Sequence, residues 1–173
     1  DGSGLQRLAK GTAGQALLMN SSANAPEWGS GGVTVDYFAA SSGSGQSIAS
    51  NAGTKVTFPT EDSDSGSFYD TSNSRVTPPA GAWILNFGVT FNSGLTDGEQ
   101  ILGYIYKNGS TILHYLHNSF GGGAGAQVTL WGSELVETNG TDYFEVYIYH
   151  TFSGSKNLDG GRSYFNGHTL TVT

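Results

Sequence analysis

Apolar residues in this chain alternate with polar ones at period two, and helical spacing is absent from the clearest segments. From Gly81, Trp83, Leu85, Phe87, Val89 and Phe91 point one way, and Asn86, Gly88 and Thr90 the other. Ile101–Lys107 and Thr111–His117 read as two strands joined by Asn108-Gly109, the dipeptide that supplies positive φ for a tight hairpin. Gln127–Val136, Tyr143–Phe152 and Ser163–Val172 follow as further strands. Upstream, Lys55–Phe58 predicts a strand, Pro59–Gly66 a polar loop, and Ser67–Tyr69 and Arg75–Thr77 a pair flanking a turn at Asp70–Ser74. Pro78 and Pro79 end that stretch, because proline cannot donate to a ladder. Short strands at this spacing predict an all-β sandwich or jelly roll over residues 53–173.

The first third of the chain is different. Residues 1–32 are rich in Gly, Ser and Ala, with Leu5, Leu8, Leu17, Leu18, Met19 and Trp28 as apolar anchors. That is too little for a core of its own, so the segment reads as a short N-terminal β module. Residues 33–52 read as a linker with one strand, Val33–Ala39, followed by a flexible tract from Ser41 to Ser50.

Two of the strands are apolar on both faces. In Tyr143–His150, Phe144, Val146 and Ile148 form one face, and Tyr143, Tyr147 and Tyr149 the other. In Ile101–Lys107, Ile101 and Ile105 oppose Leu102, Tyr104 and Tyr106. A sandwich strand in a monomer needs one buried face. Tyrosine suits a second, partly polar surface, because its ring buries area while its hydroxyl keeps a partner. This pattern points to an intersubunit interface carried by Tyr104, Tyr106, Tyr147 and Tyr149. An exposed sugar-binding platform is the alternative reading of the same residues.

Composition narrows the class. The 173 residues include 27 Gly, 12% aromatic and only 12% charged residues, a balance that suits strands and turns and not disorder. Net charge is −7 with no basic cluster, which argues against nucleic acid and anionic membranes as partners. No apolar stretch approaches the ~20 residues of a spanning helix. Cysteine is absent, so disulfides and thiol chemistry are excluded.

Two segments resemble known families. Gly11-Thr12-Ala13-Gly14-Gln15-Ala16-Leu17-Leu18-Met19-Asn20, followed by Ala25-Pro26-Glu27-Trp28, resembles a short module of phage tail-fibre and other virion proteins. The resemblance implies a β turn-and-strand unit packed with its copies around a threefold axis, burying Leu17, Met19 and Trp28. The second segment covers Phe68-Tyr69-Asp70, Val76–Trp83, Tyr106–Gly109, Leu135–Tyr143 and Tyr164–His168. It resembles the jelly roll of complement globular heads and tumour necrosis factor, with Trp83 where that family usually has Tyr and His168 where it often has Phe. The resemblance implies a homotrimer.

Together they imply a non-enzymatic fibre or knob on the surface of a bacteriophage particle. Its partners would be its own copies, other tail or capsid proteins, and a host-surface glycan or protein. Capsid decoration through the N-terminal segment and a secreted lectin-like ligand are the rival readings.

Signals for chemistry are sparse. The acidic group Glu61, Asp62 and Asp64 fits no EF-hand spacing, since Gly66 falls where a third ligand would stand. Structural Ca²⁺ is known in relatives of this fold, which makes Asp62 and Asp64 weak candidates in a chain otherwise expected to need no cofactor. His114 and His117 are three apart, and a strand would put them on opposite faces. There is no G-x-S-x-G elbow and no phosphate loop. The run Gly121-Gly122-Gly123-Ala124-Gly125 reads as a pliable loop between strands, the candidate receptor contact.

Overall fold

A computed structural model describes residues 7–30, 35–92, 98–119 and 127–170. The chain forms two units, divided at Val35.

The first unit is an antiparallel hairpin of β1 (Gln15–Met19) and β2 (Pro26–Ser30), in which Leu17 lies opposite Trp28 and Met19 opposite Pro26. The second is a two-sheet sandwich. Its short upstream elements are β3 (Tyr37–Ser41), β4 (Ser47–Ile48), β5 (Thr54–Lys55), β6 (Thr60–Asp64), β7 (Tyr69–Asp70) and β8 (Arg75–Val76). Its long strands are β9 (Gly81–Phe91), β10 (Gln100–Lys107), β11 (Thr111–Ser119), β12 (Val128–Thr138) and β13 (Phe144–His150). Strands β14 (Lys156–Asn157) and β15 (Tyr164–Thr169) follow, with a 3₁₀ turn at Gly160–Arg162 between them. One sheet runs β12-β9-β15-β3-β6; the other runs β11-β10-β13-β8-β7, with β5 also on β13. This is the all-β class that the alternation predicts, in the jelly-roll form that the resemblance implies.

The inward residues of β9 are those the alternation selects: Trp83, Leu85, Phe87, Val89 and Phe91 are all buried. They meet Ile101 and Ile105 of β10 and Phe144, Val146 and Ile148 of β13 in one core. Phe165 packs edge-on to Phe38 with centroids 5.0 Å apart, and Tyr69 stacks on Phe38 at 5.5 Å. The β10–β11 turn has φ of 55° at Asn108 and 66° at Gly109, the backbone that Asn-Gly favours. Asn108 also closes it against the next loop, accepting from the Tyr143 amide at 2.9 Å and donating to Asp142 at 2.8 Å.

Three expectations change. The stretch 33–52 is not a linker in its described part. Tyr37–Ser41 is an internal strand between β15 and β6, displaced from the expected Val33–Ala39. The tract Ser41–Ser50 holds β4, and its Ser42 and Ile48 are buried. The strand expected at Lys55–Phe58 is Thr54–Lys55, after which Val56 and Phe58 plug the core from irregular backbone. The polar loop expected at Pro59–Gly66 contains β6, an edge strand whose charged residues oppose further pairing. Pairing with β15 and β6 sets the bounds of β3, and pairing with β3 makes a strand of β6, whose polar sequence carries no trace of it.

Candidate functional site

The Gly-Gln…Pro-x-Trp segment has a mechanical explanation in the hairpin. The Thr12 amide donates to the Gln15 side-chain oxygen at 2.8 Å, and Gly14 takes φ of +88°, so the chain reverses into β1. Gly11 lies flat against the Trp28 indole, where a Cβ would come within 2.6 Å of the ring. The indole N–H donates to the Ala9 carbonyl. Asn20 ties the far turn through its side chain and the Ala25 carbonyl. Period two puts Leu17, Met19 and Trp28 on one face of this hairpin and Leu18 on the other, and all four are exposed. A two-stranded hairpin is marginally stable alone, and apolar residues on both faces leave it in need of cover.

The tyrosines expected at an interface lie on the outer face of the β10–β11–β13 sheet, and the structure brings most of them together. Tyr104 stands directly opposite Tyr115 on β11 and opposite Tyr147 on β13. Its ring is parallel to that of Tyr147 (interplanar 13°, centroids 6.0 Å) and 5.4 Å from that of Tyr115. Tyr106 meets Tyr147 edge-on at 4.5 Å. Burial, then the neighbouring phenols of Tyr106, Tyr115 and Tyr147, pushes the Tyr104 hydroxyl up to about 12. Tyr149 stands apart from these ring contacts, donating to Asn51 at 3.1 Å. Contacts within one chain therefore cover Tyr104, which is 7% exposed, while Tyr115 is 55% exposed. Tyr115 escaped sequence reading because no pattern in Thr111–His117 distinguishes it.

The opposite sheet presents a second apolar face. Along β12, Val128, Leu130 and Val136 turn to the core, while Trp131 and Leu135 turn outward and remain 72% and 60% exposed. Register extends that face across the sheet. Trp131 lies opposite Gly88 and then Tyr164, and Leu135 opposite Ile84, His168 and Tyr37. An Asn86–Asn166 side-chain hydrogen bond of 3.1 Å sits at its centre. Tyr37 and Tyr164 are exposed as well. Alternation in Gln127–Val136 carried this signal, since Trp131 and Leu135 oppose the core-facing positions.

The acidic residues make a strand and a turn. Asp64 accepts from the amides of Gly66 (3.0 Å) and Tyr69 (2.7 Å), and Asp62 accepts from the Ser41 hydroxyl at 3.1 Å. No group of three His, Cys, Asp or Glu able to hold a metal ion forms among the described residues. The loop Gly121, Gly122, Gly123, Ala124, Gly125 lies outside the described residues.

No family model and no curated protein matches this chain in sequence. Solved structures match it in fold. The Eiger tumour necrosis factor of S. frugiperda aligns at 10% identity over 82% of this chain and 94% of its own, with a TM-score of 0.58. Murine APRIL aligns at 14% identity over 79% and 100%, with a TM-score of 0.59. The globular domain of zebrafish complement 1qA protein aligns at 10% identity over 82% and 100%, with a TM-score of 0.54. The fold is thus the jelly roll shared by tumour necrosis factors and complement globular heads.

Proposed function

We propose that this chain is a non-enzymatic, homotrimeric binding module on the surface of a bacteriophage particle, with a jelly-roll head and a hairpin that docks or trimerises at its N-terminus. The observation that carries self-association is the outer face of the β12-β9-β15-β3-β6 sheet, where Trp131 and Leu135 stay mostly exposed beside Ile84, Tyr37 and Tyr164. An antiparallel sheet face meant for water is polar, and one that leaves several large apolar side chains exposed marks a partner surface. Copies meeting here would bury side chains worth about 1.5–3 kcal/mol each when fully covered. Hairpin residues Leu17, Met19 and Trp28 extend the same logic to the first unit. Tyr104, Tyr106 and Tyr147 find cover in one another, which leaves their face free for a receptor. The particle location is supported by the Gly11–Trp28 segment and its resemblance to virion modules.

Light scattering on the full chain tests assembly. The expected mass is threefold and independent of dilution. Trp131→Glu with Leu135→Lys should yield folded monomers, whereas Tyr147→Ala with Tyr149→Ala should leave the trimer intact. The reverse result would move the interface to the tyrosine face. Labelled protein mixed with host cells and with stripped phage capsids tests the role. Saturable cell binding supports attachment, and capsid binding that depends on residues 7–30 would reassign the chain to decoration.

A further inference from the structure

We infer that the paired strands β4 and β14 form a pH-sensitive latch over His150, closed while the imidazole is neutral and released when it takes up a proton. The latch lies wholly in the head, so it operates whichever partner the head binds.

His150 ends β13 on its core side with no exposed surface. Register sets it opposite Ile101 of β10, and the rings of Phe91 and Phe152 lie 5.6 Å and 5.5 Å away. Strand β4 lays the Ile48 carbonyl 3.0 Å from Nε2. A carbonyl only accepts, so Nε2 carries the ring proton and Nδ1 the lone pair. Nδ1 is buried and has no hydrogen-bond partner among the described residues. A second proton would therefore put an unpaired N–H and a positive charge among aromatic rings, at high cost.

Burial is the largest influence on the ring and opposes its protonation, and the Ile48 hydrogen bond offsets this in part. Two charged groups also act on it. Lys156 of β14, 6.0 Å from the Phe152 ring, opposes protonation, and Glu99, just ahead of β10, favours it more weakly. Strands β4 and β9 contain no charged residue. The charges of β10 and β13, Lys107 and Glu145, stand at the far ends of those strands, paired with Asp142 and Lys55.

The cover can come away by itself. Strands β4 and β14 form a sheet of their own with two residue pairs, Ile48 with Lys156 and Ser47 with Asn157. Single backbone bonds supplement them: the Leu158 amide donates to Gln46 at 2.8 Å, and the Asn92 amide to Asn157 at 2.9 Å. The main sheets are tied far more extensively, with β12 on β9 from Val128 to Thr138. A weakly tied segment opens at lower free energy than the domain unfolds. Lifting β4 removes the Ile48 carbonyl, opens Nδ1 to water and uncovers Ile48, Phe152 and Leu158, all buried when the latch is closed.

Once open, His150 regains the ordinary pKa of 6.5 while the closed form resists the proton, so acid favours opening. From pH 7 to pH 5 the open fraction should rise by up to about 25-fold, the linkage of one histidine. Native-state hydrogen exchange on the full chain, corrected for the intrinsic pH dependence of exchange, reads this amide by amide. Protection of the Asn51, Asn92 and Leu158 amides should lie below that of β9 and β15 at pH 7, and fall by that factor at pH 5. In His150→Phe and His150→Gln the fall should vanish, whereas His168→Gln should keep it. Should either His150 variant not fold, the parent chain's profile alone decides. Latch amides that share the protection of β9 at every pH would show whole-domain unfolding only, and would overturn the inference. Local exchange insensitive to pH, or a fall that survives in a folded His150 variant, would do the same.

Discussion

His150 lies on the core side of β13 with no exposed surface, 5.6 Å from the Phe91 ring and 5.5 Å from that of Phe152. Its Nε2–H donates to the Ile48 carbonyl at 3.0 Å, which leaves Nδ1 buried without a partner. Burial, reinforced by the Lys156 charge, holds its pKa below the ordinary value of 6.5. Below that pH the unfolded chain takes up a proton that the folded chain refuses, so stability falls as pH drops. The melting temperature should decline from pH 7 to pH 5, and His150→Phe should flatten that slope whatever it does to absolute stability. Asp70 and Asp142 act in a lower window. Hydrogen bonds from Ser72 and Asn73 bring Asp70 down to about 2, and Lys107 and Asn108 lower Asp142. Their contribution is present in full above the ordinary value of 3.8 and is lost below it, as pH falls through the lowered values of the folded chain. Gly167 is a residue set by space. A Cβ there would come within 2.7 Å of Leu85 and 2.8 Å of both the Ile84 carbonyl and Phe38. Gly167→Ala should cost about 1–3 kcal/mol in denaturant unfolding, since a backbone carbonyl cannot step aside.

Elements divide by what forms them. The β10–β11 hairpin is local, and Gly109 at φ +66° is its most demanding position. Gly109→Ala should destabilise by about 1–2 kcal/mol from the left-handed backbone alone, with further strain against the Tyr143 hydroxyl, 2.9 Å from the added carbon. Strand β6 is the contrary case, with Glu61, Asp62 and Asp64 on an edge that only pairing with β3 makes regular. Both carboxylate oxygens of Asp64 accept backbone amides, which gives this carboxylate a structural task. Chelator should therefore leave the melting temperature unchanged, and a drop would establish a bound cation at this edge.

At the scale of the whole molecule, the division at Val35 makes a truncation prediction. Residues 35–173 should fold as the head, whereas residues 53–173 should not. The shorter piece loses β3, whose removal would strip hydrogen-bond partners from both β15 and β6 and uncover Phe38 and Ala40. Cooperative melting of both fragments would show that β3 is dispensable. The sandwich also gives one chain two unlike aromatic faces. On the β12 side Trp131, Leu135, Tyr37 and Tyr164 stay exposed. On the β10 side Tyr104, Tyr106 and Tyr147 gather into rings that contact one another.

By itself the sequence determined the all-β class, the inward set of β9, the Asn108-Gly109 turn and the core faces of β10 and β13. All of these follow from alternation or from one residue's backbone preference, and both are local. Only the tertiary structure decided that the strand expected at Val33–Ala39 runs over Tyr37–Ser41 as an internal strand beside β15, and that acidic residues 60–64 are an edge. Their register comes from backbone hydrogen bonds to strands far away in sequence, which local alternation does not record. The same holds for the tyrosines. Alternation assigned Tyr104, Tyr106 and Tyr147 to one face, but register across three strands decided that their cover is one another and that Tyr115 joins them.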